Sequence, residues 1–191
     1  MKVNFDDIPK FLINLDRRED RLKSVSEEFQ YMGWTFERFS AVDTNSYEGC
    51  AYSHQKIAKL ILERGYEYAM VFEDDIFFMP YVKKLIPLIE QELNNVDWCF
   101  FHFAPSIHRP LSKYSNNLLD LTTLPPKDPN RHRGIFGTSG FILTKEACKI
   151  IAEWDTNVII ENSHKQIPRF CRLFLDPHPN RFGILLQPVG E

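Results

Sequence analysis

Three consecutive carboxylates, Glu73, Asp74 and Asp75, stand between the apolar runs Met70-Val71-Phe72 and Ile76-Phe77-Phe78. Adjacent negative charges repel one another and resist desolvation, so at the end of a buried strand a bound cation is the natural way to offset them. In an extended chain alternate side chains share a face, which sets Glu73 and Asp75 on one side and Asp74 on the other. Two carboxylates on one side of a strand end offer hard oxygen ligands suited to Mn²⁺ or Mg²⁺. The competing reading is a solvated acidic turn, or a cap for a helix beginning near Pro80.

Two further polar clusters carry chemistry of the same kind. Asn14-Leu15-Asp16-Arg17-Arg18-Glu19-Asp20-Arg21 puts a turn and three arginines at the start of a helix, where guanidinium forks and backbone N–H groups bind phosphate oxygens. A solvated, charged first turn is the alternative for any one of these arginines. In Gly49-Cys50-Ala51-Tyr52-Ser53-His54, Ser53 reads as a helix N-cap, and His54 shares helical phase with Ile57 and Ile61. That phase points His54 inward and favours a satisfied core histidine over a ligand. Towards the C-terminus Glu161, His164, Asp176 and His178 are the polar candidates. Asp176-Pro177-His178-Pro179 is stiffened by its prolines and follows the apolar Leu173-Phe174-Leu175. Asp176 is therefore expected as a general base, with Glu161 as its rival and His178 as a metal or phosphate contact; a rigid surface turn is the competing reading.

Elements that could position these groups alternate along the chain. Phe11–Leu15 reads as a strand, Arg18–Met32 as an amphipathic helix through Leu22, Val25 and Phe29, and Thr35–Val42 as a second strand. Ser53–Arg64 has helical spacing ending at Gly65, and the strand carrying the carboxylates follows. Tyr81–Leu93 predicts a helix, Trp98–Phe103 a buried strand, Lys145–Trp154 a helix and Phe182–Leu186 a last strand. Alternating strands and helices imply an α/β fold with a mainly parallel central sheet flanked by helices, in which ligands gather beyond the carboxyl ends of the strands. Between them Ala104–Gly134, with five prolines and the basic patch Arg131-His132-Arg133, is longer than an ordinary connection and reads as a functional or mobile loop. The expected organisation is one domain, with 104–134 a long flexible loop between residues 11–103 and 135–191.

Composition narrows the classes. With 191 residues and 43% hydrophobic content the chain can bury one sizeable core, and a net charge of -3 gives no broad basic footprint for nucleic acid or an anionic membrane. Cys50, Cys99, Cys148 and Cys171 lack CxxC spacing and sit among apolar neighbours, so free buried thiols are expected rather than disulfides or a zinc site. The first ten residues carry no apolar core of signal length, and no segment approaches the ~20 apolar residues of a membrane span, which leads us to expect a cytoplasmic protein.

Taken together, Ile13-Asn14-Leu15-Asp16-Arg17-Arg18 with Asp20-Arg21, Ala41-Val42-Asp43, Gly49-Cys50 with Ser53-His54, Val71-Phe72-Glu73-Asp74-Asp75 and Gly137–Phe141 occur in the order seen in glycosyltransferase family 25. The resemblance spans roughly Phe11 to Trp154, and its combination of segments is far more specific than any one of them. That family includes lipooligosaccharide and collagen galactosyltransferases. The resemblance implies a GT-A-like fold with a Rossmann-like nucleotide-binding half and a Mn²⁺-dependent (or Mg²⁺-dependent) transfer. It also implies a UDP-sugar donor carrying galactose or glucose, bound by residues 11–103, and a lipid- or protein-linked glycan acceptor on the side of residues 135–191, as in lipopolysaccharide biosynthesis. Glu73 and Asp75 match the outer positions of a DxD-type metal motif, with Asp74 between them. The donor-contacting set it implies is Asn14, Leu15, Arg17, Arg21, Asp43, Ser53, His54 and Asp74, with Gly137, Thr138, Ser139 and Gly140 resembling the glycine-rich stretch that faces the sugar. The chain is short for the family, which implies a trimmed acceptor-binding end.

Other classes fit less well. A sugar nucleotidyltransferase would open on a glycine-rich phosphate loop carrying a lysine, which Phe11–Arg21 lacks. A metal-dependent hydrolase would bring clustered histidines. A nucleotide-sugar-binding protein that has lost catalysis differs from the enzyme only in turnover.

Overall fold

The computed structural model describes residues 2–44, 48–103, 106–107, 113–121, 135–136, 139–155 and 181–184. Its elements run β1 (Lys10–Asn14), α1 (Glu19–Met32), β2 (Glu37–Ser40), α2 (Glu48–Glu63), β3 (Tyr68–Glu73), α3 (Val82–Leu93), β4 (Phe100–His102), β5 (Ser106–Ile107), β6 (Leu118–Asp120), β7 (Ile135–Phe136), β8 (Gly140–Thr144), α4 (Lys145–Ala152) and β9 (Arg181–Ile184). The expected α/β architecture is present: the main sheet has the order β2-β1-β3-β8-β4-β9-β6, and a small β5-β7 pair stands apart.

Parallel pairing holds where the sequence rhythm is regular, in β2-β1-β3. It does not extend across the sheet. β8 runs antiparallel to both β3 and β4, and β6 antiparallel to β9, so the sheet is mixed rather than mainly parallel. β8 follows β4 only after a long intervening stretch of chain and enters the gap between β3 and β4 antiparallel to both. Part of the stretch expected as a long loop is sheet: Leu118–Asp120 pairs with β9, with Leu118 and Leu119 buried.

Alternation along the strands sorts the core into two layers. Leu12, Met70, Phe72, Phe101 and Ile142 share one cluster with Val25 and Phe29 of α1 and Ile89 and Leu93 of α3. Phe11, Ile13, Val71, Phe141 and Leu143 share the other with Ile57 and Ile61 of α2 and Cys148 and Ile151 of α4. β3 is buried on both faces, which is why it reads as an unbroken apolar run. Phe36 and Phe39, both taken as marks of the second strand, are three residues apart and fall on opposite layers.

Helix ends agree with the sequence in part. Gly65 adopts φ 68° and receives the end of α2, with Tyr66 N donating to Ile61 O at 3.2 Å. The start of α2 lies earlier than expected, at Glu48, so Ser53 is not its N-cap. Instead Ser53 is fully buried in the second turn, its hydroxyl donating to Gly49 O at 2.6 Å and accepting from Val42 N at 2.8 Å. α2 is fastened to α4 by Gln55, whose Nε2 donates to Ala152 O and Trp154 O at 3.3 and 2.9 Å.

Candidate functional site

The carboxyl ends of β1, β2 and β3 lie side by side, and the polar residues that follow them converge there. Asn14, last residue of β1, is 1% exposed and bonded on every side. Its Nδ2 donates to Asp74 Oδ2 at 2.8 Å and to Arg18 O at 3.1 Å, while its Oδ1 accepts from Arg38 Nε at 2.9 Å. Leu15 O accepts from Arg18 N at 2.9 Å, closing the turn into α1.

The acidic triplet does not continue as a strand. β3 ends at Glu73, Asp74 and Asp75 form a turn, and Ile76 N closes it on Glu73 O at 3.2 Å. The alternation argument that put Glu73 and Asp75 on one face therefore fails, because the pleat stops at Glu73. The two remain neighbours across this turn, where partial burial raises the Asp75 carboxyl above its ordinary value and the Glu73 charge raises it further, opposed by Arg21. Asp74 is the anchored member, gripped by Asn14 and by Arg21 Nη1 at 2.9 Å; Arg21 also stands 3.9 Å from Asp75 Oδ2.

Glu73 faces α2. Its Oε1 accepts from Cys50 Sγ at 3.1 Å and lies 3.1 Å from His54 Nε2. His54 is buried as its helical phase predicts, yet it touches the acidic triplet, and its ring meets Phe141 edge-on at 5.7 Å. Cys50, expected as a buried thiol in apolar surroundings, is only half-buried and sits against a carboxylate. Cys99 and Cys148 are buried and free as expected, and burial pushes the Cys148 thiol up to about 12. Ser139 joins the site through its backbone, its carbonyl accepting from Glu73 N at 3.0 Å. Gly137, Thr138, Glu161, His164, Asp176 and His178, with Arg131 and Arg133, lie outside the described residues.

The arginines of the first turn are engaged with carboxylates. Arg17 pairs with Asp43 and Arg21 with Asp74. Arg18 forks onto Asp20 at 2.9 and 2.8 Å, which holds the Asp20 carboxyl down at about 2. Glu19 and Asp20 occupy the first turn of α1 and already complement its dipole, so an anion approaching there meets compensated charge.

Arg38 escaped the sequence reading. Besides Asn14 it reaches Asp16 at 2.5 Å, and Ser40 donates to the same carboxylate at 2.8 Å; these bonds lower the Asp16 carboxyl below its ordinary value. With Asp16, Glu19, Leu22 and Lys23 it lines a cavity of about 460 Å³ beside the strand ends. The signal was faint: an arginine within the four-residue strand Glu37–Ser40, whose partner across the ladder is Leu12.

The residues present could hold a divalent metal: Glu73 and Asp75 supply hard oxygens, and the Asp75 side chain is half exposed at the turn.

Comparison with known proteins gives a consistent picture. Residues 44–164 match a sequence model described as glycosyltransferase family 25 (LPS biosynthesis protein). Proteins of Drosophila melanogaster and Drosophila pseudoobscura pseudoobscura, each named "Glycosyltransferase 25 family member", are 24% identical over 94% of this chain and 32% of their own length. The chain thus spans about a third of the length of these curated relatives. The crystal structure of a glycosyltransferase involved in the glycosylation of the major capsid of PBCV-1 shares the fold, with a TM-score of 0.53 and 12% identity over 92% of this chain and 81% of that one.

Proposed function

The chain belongs to glycosyltransferase family 25, and on that premise we propose that it transfers a hexose, galactose or glucose, from a UDP-sugar to a glycan acceptor with inversion. The observation that carries this reading is the convergence of Asn14, Arg21, Glu73, Asp74 and Asp75 at the carboxyl ends of neighbouring parallel strands, where nucleotides gather in α/β sheets.

Glu73 and Asp75 would hold Mn²⁺ or Mg²⁺, which when bound supplies Lewis-acid stabilisation to the departing diphosphate. Asn14, through Asp74, fixes the turn on which Asp75 sits. Arg17 and Asp43, both substantially exposed at the strand ends, are the groups assigned to the nucleotide, with Leu15, whose carbonyl closes the turn into α1, assigned beside them. Ser53 acts at one remove, bracing the segment that leads to Asp43 through Val42 N. Ser139, whose carbonyl lies beside Glu73, is assigned to the sugar together with Gly137 and Thr138. Asp176 is assigned as the base that takes the proton of the acceptor hydroxyl, with Glu161 as its rival and His178 as a metal or phosphate contact. The glycan would be lipid- or protein-linked. Among the described residues no helix is long and apolar enough to cross a membrane.

The deciding experiment is a donor screen that reads free nucleoside diphosphate with and without Mn²⁺, using UDP-galactose, UDP-glucose, UDP-GlcNAc and GDP-sugars. Metal-dependent release from one UDP-hexose is expected. Binding of UDP-sugar without release, acceptor present, would instead make this a nucleotide-sugar-binding protein.

A further inference from the structure

Cys50 and His54 stand one turn apart on α2, so their side chains share a face, and both reach the same oxygen of Glu73. The three donor atoms lie within 4.8 Å of one another, with Sγ and Nε2 each 3.1 Å from Oε1. In a tetrahedral zinc centre, bond lengths of ~2.3 Å to sulfur and ~2.0–2.1 Å to nitrogen and oxygen place neighbouring ligand atoms roughly 3.3–3.6 Å apart. The side chains of α2 and β3 therefore already form nearly the triangle that zinc requires.

We propose that Cys50, His54 and Glu73 form a second metal site, for Zn²⁺, distinct in chemistry from the hard-oxygen pair Glu73 and Asp75. A thiolate and an imidazole select zinc over Mn²⁺ or Mg²⁺. On binding, the Cys50 thiol releases its proton to solvent and His54 coordinates as the neutral imidazole through Nε2. The charges then cancel, a dication against one thiolate and one carboxylate, which suits a site where His54 is buried and Glu73 only 21% exposed. His54 is pre-aimed, its ring packed on Phe141. Three protein ligands leave a fourth position for water. Because Glu73 is shared, zinc at this site holds it towards α2 and opposes its use beside Asp75; that consequence, inhibition of Mn²⁺-dependent turnover by zinc, rests on the proposed function, whereas the site itself does not.

The test uses Co²⁺ as a spectroscopic stand-in for zinc, on the full, metal-free chain with no donor sugar present. A thiolate-to-cobalt charge-transfer band should grow to saturation and be displaced by Zn²⁺. Cys50→Ser should abolish the band, and His54→Gln should weaken cobalt binding by at least ~10-fold. Cys148→Ser and Asp75→Asn should leave it in place. In the unmutated chain, Zn²⁺ should slow alkylation of Cys50 by iodoacetamide at least ~10-fold, because a metal-bound thiolate is masked; this arm needs no variant to fold. Absence of the band, its survival in Cys50→Ser, unaltered affinity in His54→Gln, or Cys50 alkylation indifferent to zinc would each overturn the site. A cobalt band alongside turnover that ignores Mn²⁺ would uphold the site and count against the proposed reaction.

Discussion

Asn14 Nδ2 donates to Asp74 Oδ2 at 2.8 Å across 60 positions of sequence, joining the end of β1 to the turn after β3. Asn14 is buried and Asp74 nearly so, and the acceptor carries charge, which places this among the stronger hydrogen bonds of a folded chain.

Asn14→Ala removes that bond and leaves Arg38 Nε and Arg18 O short of a partner. We expect a loss of about 2–3 kcal/mol in urea unfolding. UDP, which should raise the Tm of the wild type in the presence of Mn²⁺ by mass action, should raise that of Asn14→Ala less. An unchanged urea midpoint would show that the bond contributes little.

For Asp75 the sign follows from its raised carboxyl. A group whose folded value lies above its ordinary 3.8 favours folding most when protonated, and that contribution disappears as pH rises through the folded value. Without metal, Asp75→Asn should therefore match the wild type in acid and become the more stable protein as pH climbs towards neutral. Mn²⁺ should reverse the order by stabilising only the wild type, and turnover of the variant should fall by ~10²–10³-fold with the lost charge stabilisation. Parallel pH–stability curves for the two proteins would contradict this.

Gly49 lies where α2 passes the segment leaving β2, and a Cβ there would run into Val42 O and come within 3.0 Å of Thr44 Oγ1. Since the obstacle is backbone, Gly49→Ala must displace either the helix start or the Val42–Thr44 segment, at about 1–3 kcal/mol. Thermal unfolding measures it, and an unshifted Tm would mean that the segment yields freely.

Asp176→Asn should keep UDP affinity while losing sugar transfer by at least ~10²-fold, the low end for a positioned base. Persistent transfer in that variant, with loss in Glu161→Gln, would move the role to Glu161.

Legibility of the site followed periodicity. The helices, the parallel β2-β1-β3 ladder and the convergence of strand ends were readable because apolar spacing reports burial directly. What periodicity could not report was where a pleat stops: Glu73 and Asp75 were set on one face by extending β3 two residues too far. It also judged His54 by phase alone. A buried residue in the second turn of a helix can satisfy the core and touch the site at once, as its contacts with Phe141 and Glu73 show. The antiparallel insertion of β8 left no local mark, since strand direction depends on the route of the intervening chain.

That insertion bears on the order in which the protein is assembled during synthesis. β8 is hydrogen-bonded on one side to β3 and on the other to β4, so Tyr68–Phe72 and Phe100–His102 gain their shared neighbour only after residue 144 has left the ribosome. Until then each presents an open edge among strongly apolar side chains, the arrangement most prone to pairing with another nascent chain. The strands β1 to β4 are thus not a module that can be excised at residue 103. A truncation there should aggregate rather than bind, and any working fragment must carry β8 with it.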